Sequence, residues 1–243
     1  MKEIVQTALR LVYPPQCLIC RDLVETDFGL CGRCWGETPF IGGLVCDACG
    51  TPLPGTDTQE VAYCDSCLSH PPAWQRGRAA LLYRDNGRKL VLGMKHNDRH
   101  DIAWVGARWL ARAVAPLVRP DMVVAPVPLH WMRLMSRRYN QSALLAEALA
   151  AELDLAYCPD LLKRIRRTRS LDHRKAEERR QILNGAIGIH PARRHRVAGG
   201  RPVLLIDDVL TTGATLGACA EALHVAGAGP ICIGALARVS RED

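Results

Sequence analysis

Two aspartates, Asp207 and Asp208, stand side by side after the apolar run Val203-Leu-Leu-Ile206, and Thr211-Thr-Gly-Ala-Thr215 follows within three residues. Adjacent carboxylates can accept hydrogen bonds from a vicinal diol such as that of ribose. A turn rich in threonine and glycine that opens a helix offers hydroxyls and unpaired backbone N–H groups to a phosphate dianion. Each half alone has an ordinary reading, as two solvated acids or as a capped helix. Both in this order after a buried strand ask for a ribose 5-phosphate. The C-terminal end of a strand is also where open α/β sheets take their ligands.

The second chemical feature is a set of four C-x-x-C pairs: Cys17/Cys20, Cys31/Cys34, Cys46/Cys49 and Cys64/Cys67. The two-residue gap lets a tight turn aim both thiolates at one metal, and two such turns complete a tetrahedron around Zn²⁺. Sequential pairing gives two four-cysteine sites, 17/20/31/34 and 46/49/64/67; an interleaved cross-brace is the alternative. No corner of either tetrahedron stays open, so the sites read as structural. Gly32 and Gly50 fall where such a turn wants a permissive residue. The remaining cysteines, Cys158, Cys219 and Cys232, sit in apolar surroundings and read as core.

These groups need elements to hold them. Residues 14–72 are loop-rich and have too little apolar periodicity to fold by burial alone. Pro71-Pro72 marks a boundary, so we expect a helix and double zinc ribbon over 1–72 and a second domain over 73–243. In the second part, strands are predicted at 78–83, 122–127, 186–189, 202–206 and 231–239. Helices are predicted from 88, over 102–118, over 142–153 and over 214–225. Strands alternating with helices argue a parallel α/β sheet.

Composition narrows the surroundings. Apolar content of 48% supports a core, while aromatics at 5% leave the packing to Leu, Val, Ala and Ile. No apolar run approaches the roughly 20 residues that span a bilayer. Residues 1–12 lack the continuous apolar segment of a secretory signal, and Ile4, Val5, Ala8, Leu9 and Val12 share one helical face. A short helix packed on its own protein is expected there, in a cytoplasmic protein. The formal charge of +7 falls to about +3 once eight thiolates hold two Zn²⁺. The basic excess is local: residues 163–201 carry 13 Lys/Arg against 3 acids. That run reads as a solvated segment, with a flap over phosphates or a track for a nucleic-acid backbone as the functional readings. It has no interleaved aromatics for base stacking.

The segment Val203–Thr215 resembles the phosphoribosyl-pyrophosphate (PRPP) signature of type I phosphoribosyltransferases. Together with the double zinc ribbon, Leu92-Gly-Met-Lys-His96, Val127-Pro-Leu-His130 and Arg138-Tyr-Asn-Gln141, it makes nearly the whole chain resemble the ComF family. The resemblance implies a type I phosphoribosyltransferase-like parallel sheet flanked by helices, behind the Cys-rich zinc module. It implies PRPP bound with Mg²⁺: Asp207 and Asp208 on the ribose hydroxyls as the catalytic pair, and Thr211, Thr212, Gly213, Ala214 and Thr215 on the 5′-phosphate. A pyrophosphate loop is implied at 126–130. Arg138 is its best cation, with His130 and Lys95 as further candidates. Asn140 and Gln141 read equally as helix caps or ligand contacts. The family's link to natural transformation implies single-stranded DNA or a DNA-uptake helicase as a partner. Two functions remain open: transfer of phosphoribose to an unidentified acceptor, and non-catalytic coupling in DNA uptake with the pocket as a nucleotide sensor. Leu171 and Ile182 replace the family's usual Gln and Asn, which bears on the second substrate and leaves the PRPP loop intact.

Overall fold

A computed structural model describes residues 14–26, 29–56, 60–96, 99–129, 139–166, 178, 182–183 and 185–240. The expected N-terminal helix, His130, Arg138, Leu171 and much of the basic run lie outside these residues.

The elements follow the apolar pattern. Two short helices, α1 (Gly32–Gly36) and α2 (Asp65–Ser69), belong to the cysteine-rich part. Then come β1 (Arg76–Leu82), α3 (Asp85–His96), α4 (His100–Val114), β2 (Val123–Pro126), α5 (Gln141–Glu152) and β3 (Ala156–Tyr157). The chain continues with β4 (Leu162–Arg164), β5 (Ile187–Ile189), β6 (Val203–Leu210), α6 (Ala214–Val225) and β7 (Ile231–Arg238). Helix α4 stops short of the expected Val118. Pro116 has no N–H to continue the ladder, and residues Ala115–Leu117 tighten into a 3₁₀ turn.

Five strands form one sheet in the order β1-β7-β6-β2-β3, every neighbouring pair parallel. Strands β4 and β5 pair antiparallel in a separate ribbon. Successive side chains leave a strand on opposite faces. Leu204 and Ile206 accordingly pack with α3, α4 and α5, and Val203 and Leu205 pack with α6 and the β4–β5 ribbon. Both faces are covered, as a parallel sheet requires.

The cysteine-rich part is bound to this sheet. Phe40 bridges Leu81, with Ile41 N–H to Ala80 O at 2.9 Å and Leu82 N–H to Pro39 O at 2.9 Å. Asp47 meets Arg76 Nε at 2.8 Å and Arg78 Nη2 at 2.7 Å. Arg238, buried at the end of β7, donates to Cys49 O at 3.0 Å and to the Thr51 hydroxyl. No helix among the described residues is long and apolar enough to cross a membrane.

Candidate functional site

The eight cysteines assemble in the sequential order. Cys17, Cys20, Cys31 and Cys34 bring their sulfurs within 4.8 Å of one another, and so do Cys46, Cys49, Cys64 and Cys67. None is in a disulfide. The Cys20–Cys31 and Cys49–Cys64 sulfurs stand 3.6 and 3.7 Å apart, near the edge of about 3.8 Å that a tetrahedron with Zn–S of about 2.3 Å requires. The donor sets therefore fit two structural Zn²⁺ ions. The turns themselves repeat: Arg21 N–H reaches Cys17 O at 3.1 Å and Gly50 N–H reaches Cys46 O at 2.7 Å. Gly50 is the left-handed residue expected, with φ +69°, and a Cβ there would meet Ala79 N at 2.9 Å. Gly32 is not its counterpart. It opens α1 and nothing crowds it. The left-handed residue of the first knuckle is Arg21, an exposed residue at φ 69°.

The Thr211–Thr215 turn is built between β6 and α6. Strand β6 runs four residues past the expected end at Ile206 because β7 keeps pairing with it, Asp207 opposite Ala235 and Leu210 opposite Arg238. Strand β2 stops at Pro126, opposite Ile206. The two aspartates thus project beyond the end of β2, at the C-terminal edge of the sheet. Gly213, at φ +77°, turns the chain into α6, whose first bond is Gly217 N–H to Gly213 O at 2.8 Å. Ala214 N–H meets the Thr212 hydroxyl at 3.4 Å. Asp207, Val209, Leu210 and residues 211–216 line an open hollow of about 270 Å³, part of it bulk solvent.

The aspartates are not equivalent. Alternation along β6 sends them to opposite faces. Asp207 Oδ1 accepts from the Ser142 hydroxyl and from Asp208 N–H, both at 2.9 Å. Asp208 Oδ2 meets Lys95 Nζ at 2.9 Å, with both side chains largely buried. Burial, helped by the Asp208 charge, pushes the Asp207 carboxyl up to about 7; Ser142, the Asp208 N–H and Lys95 oppose the rise. A carboxyl near neutrality can donate as well as accept, which suits a sugar hydroxyl.

Lys95 thus joins the acids from α3. Tyr139 donates to Met94 O at 2.8 Å and ties residues 139–142 to the same corner. Asn140 caps α5, accepting from Ser142 N–H at 3.1 Å and donating to Val127 O at 3.0 Å. Gln141 is buried, and its Nε2 has no partner among the described residues. Ile182 is half-buried. Sequence reading missed Ser142, although it directly follows the Asn-Gln pair. It also missed Trp74, whose ring lies against Gly213 and which no motif contains.

Residues 8–68 match the double zinc ribbon domain. Over 94% of its length the chain is 32% identical to DNA utilization protein YhgH of Salmonella typhimurium, covering 99% of that protein. It is 30% identical to Competence protein F of Haemophilus influenzae, over 92% of this chain and 96% of that one. Among solved structures, the adenine phosphoribosyltransferase of Thermoanaerobacter pseudethanolicus is similar over 58% of this chain and 83% of that one, with TM-score 0.37 and 17% identity.

Proposed function

The chain belongs to the ComF family, together with Competence protein F and the YhgH proteins, and from that premise we propose that it binds PRPP at the C-terminal end of β6. One observation carries the reading: Asp207 shares a single solvent-open hollow with Thr211, Thr212, Gly213, Ala214 and Thr215. The hydroxyls and backbone N–H groups of the loop take the 5′-phosphate. Asp207, held by Ser142, takes the ribose hydroxyls from one side, and Asp208 is the second acid of the pair.

As a transferase, the protein would hold C1 of the ribose while its bond to pyrophosphate breaks and an acceptor lone pair forms the new bond. Positive charge grows on the sugar and negative charge on the leaving group. Lys95 is the described cation nearest the acids, at 2.9 Å from Asp208, and Arg138 is a further candidate; either would stabilise the departing pyrophosphate. Mg²⁺ would screen that group. The ready-made metal clusters among the described residues are the two four-cysteine sites, so Mg²⁺ would arrive with the ligand. Asp207 and the threonine hydroxyls are hard oxygen donors it accepts.

The relatives' names, DNA utilization protein and competence protein, favour a second reading in which the same pocket serves a cytoplasmic DNA-handling protein. There the basic run over 163–201 would meet single-stranded DNA or a helicase partner. Calorimetric titration with PRPP and Mg²⁺ tests both readings. Wild type is expected to bind and Asp207→Asn/Asp208→Asn to lose binding. Pyrophosphate release with a panel of bases and amines then marks the transferase. Its absence, with salt-sensitive single-strand binding that survives the double substitution, marks the coupling role. A wild type that ignores PRPP removes both.

A further inference from the structure

The Cys46–Cys49 zinc knuckle and the phosphate loop are far apart in sequence, yet one side chain touches both. The Trp74 indole N–H donates to Ala48 O, inside the Cys46–Cys49 turn, at 2.6 Å. The far edge of the same ring lies on the loop. A Cβ at Gly213 would stand 2.6 Å from Trp74 Cη2, and one at Gly217 would stand 4.0 Å from Cζ3. Glycines four apart clear one face of the first turn of α6, and the indole fills it. Trp74 is 9% exposed.

Both ends of this contact are anchored. On the knuckle side, Gly77 N–H donates to Asp47 O at 2.9 Å, and a Cβ at Gly77 would strike Ala48 O at 2.6 Å. Arg76 and Arg78 clamp the Asp47 carboxylate. On the loop side, Gln75 N–H reaches Ile231 O at 2.9 Å, and His224 of α6 lies 2.8 Å from Ala73 O. Gly213 has φ +77°, a conformation in which an unsupported turn samples many alternatives. A rigid ring pressed on it restricts that choice and keeps the loop N–H groups aimed at the hollow.

We propose that Trp74 is a positioning residue through which the Cys46–Cys49 zinc knuckle sets the phosphate loop for its ligand. The zinc module then has a role at the ligand site besides folding its own segment. The loop's ligand rests on the PRPP reading above; the mechanical coupling does not.

The test compares wild type, Trp74→Phe and Trp74→Ala as full chains, each checked for two zinc ions. Hydrogen exchange without ligand reads the coupling directly. Residues 211–217 are expected to lose protection in the order wild type, Phe, Ala, while 203–206 and 231–237 keep theirs. Phenylalanine retains a ring over Gly213 and lacks the N–H bond to Ala48, hence its middle place. Titration with PRPP and Mg²⁺ reads the consequence, with binding weakened about tenfold or more in Trp74→Ala, the order seen when a supporting shell is removed. If Trp74→Ala loses zinc or fails to fold, Trp74→Phe decides by the same two readouts. Unchanged exchange at 211–217 in a zinc-replete variant overturns the inference, whatever PRPP does. A wild type that fails to bind PRPP, with exchange altered as expected, removes the ligand and leaves the coupling standing.

Discussion

Asp207→Asn is expected to make the protein more stable above neutral pH while removing its ligand site. The carboxyl is raised from 3.8 to about 7, with burial as the main cause and the Asp208 charge second. The folded state therefore holds a proton that the unfolded chain releases, and folding stability falls as pH rises from about 4 through about 7. Above that window the folded protein carries an unfavourable charge. At about 1.4 kcal/mol per pKa unit the ceiling is about 4 kcal/mol, and about 2 kcal/mol is a fair expectation where solvent reaches the hollow. Asparagine keeps the shape and an Oδ1 that still accepts from Ser142 and from residue 208 N–H. The gain at pH 8 is thus expected at about 2 kcal/mol, or about 4–8 °C in melting temperature for a chain of this size. It should be smaller near pH 5.5, where the folded acid is already neutral, and should close only below about pH 4, where the unfolded chain is protonated too. Thermal or urea melts at the two pH values make the comparison with zinc present throughout. A variant less stable than wild type at pH 8, or a difference indifferent to pH, would refute the burial-and-repulsion argument.

Other substitutions probe neighbouring parts. Ser142→Ala removes a hydrogen bond that lowers the Asp207 pKa. It is expected to move that titration upward, followed by carbon-detected NMR of the carboxyl, and to cost about 1 kcal/mol in denaturant melts. Lys95→Met leaves the Asp208 carboxylate without its 2.9 Å partner; a loss of about 2–3 kcal/mol at pH 7 is expected in the same assay. Gly213→Ala meets both the left-handed backbone and the Trp74 ring, so a loss of about 2 kcal/mol or more is expected, with PRPP binding abolished. Metal analysis should find two zinc ions per chain, and chelation should lower the melting temperature. Cys46 and Cys49 are buried against β1 and β7, so losing that site reaches the sheet.

Strongly periodic segments are legible in the chain itself. Helix α6 ends where its pattern does, and β6, β7 and α5 lie within a few residues of expectation, because each fills one face of a covered sheet. The C-x-x-C spacing marks the four cysteine pairs, since local turns decide them, and the fold brings them together in the sequential order rather than as a cross-brace. What escaped has a common cause. Strand β6 outruns Ile206 because its pairing with β7 overrides two aspartates that are poor strand formers. Strands β3 and β4, of two and three residues, are too short for periodicity to register. The divergence of Asp207 towards Ser142 and of Asp208 towards Lys95 follows from that strand extension. Adjacent acids in a loop can turn to one face; in a strand they leave the backbone on opposite faces. The Trp74 contact joins residues 48, 74 and 213, a relation that no local pattern encodes.

A crystal grown with PRPP and Mg²⁺ places the ligand outright. The 5′-phosphate is expected within hydrogen-bonding distance, about 2.7–3.2 Å, of backbone N–H groups and hydroxyls in 211–215, with the ribose hydroxyls on Asp207. Clear density for PRPP elsewhere, or a hollow at β6 that stays empty at saturating ligand, would contradict the assignment.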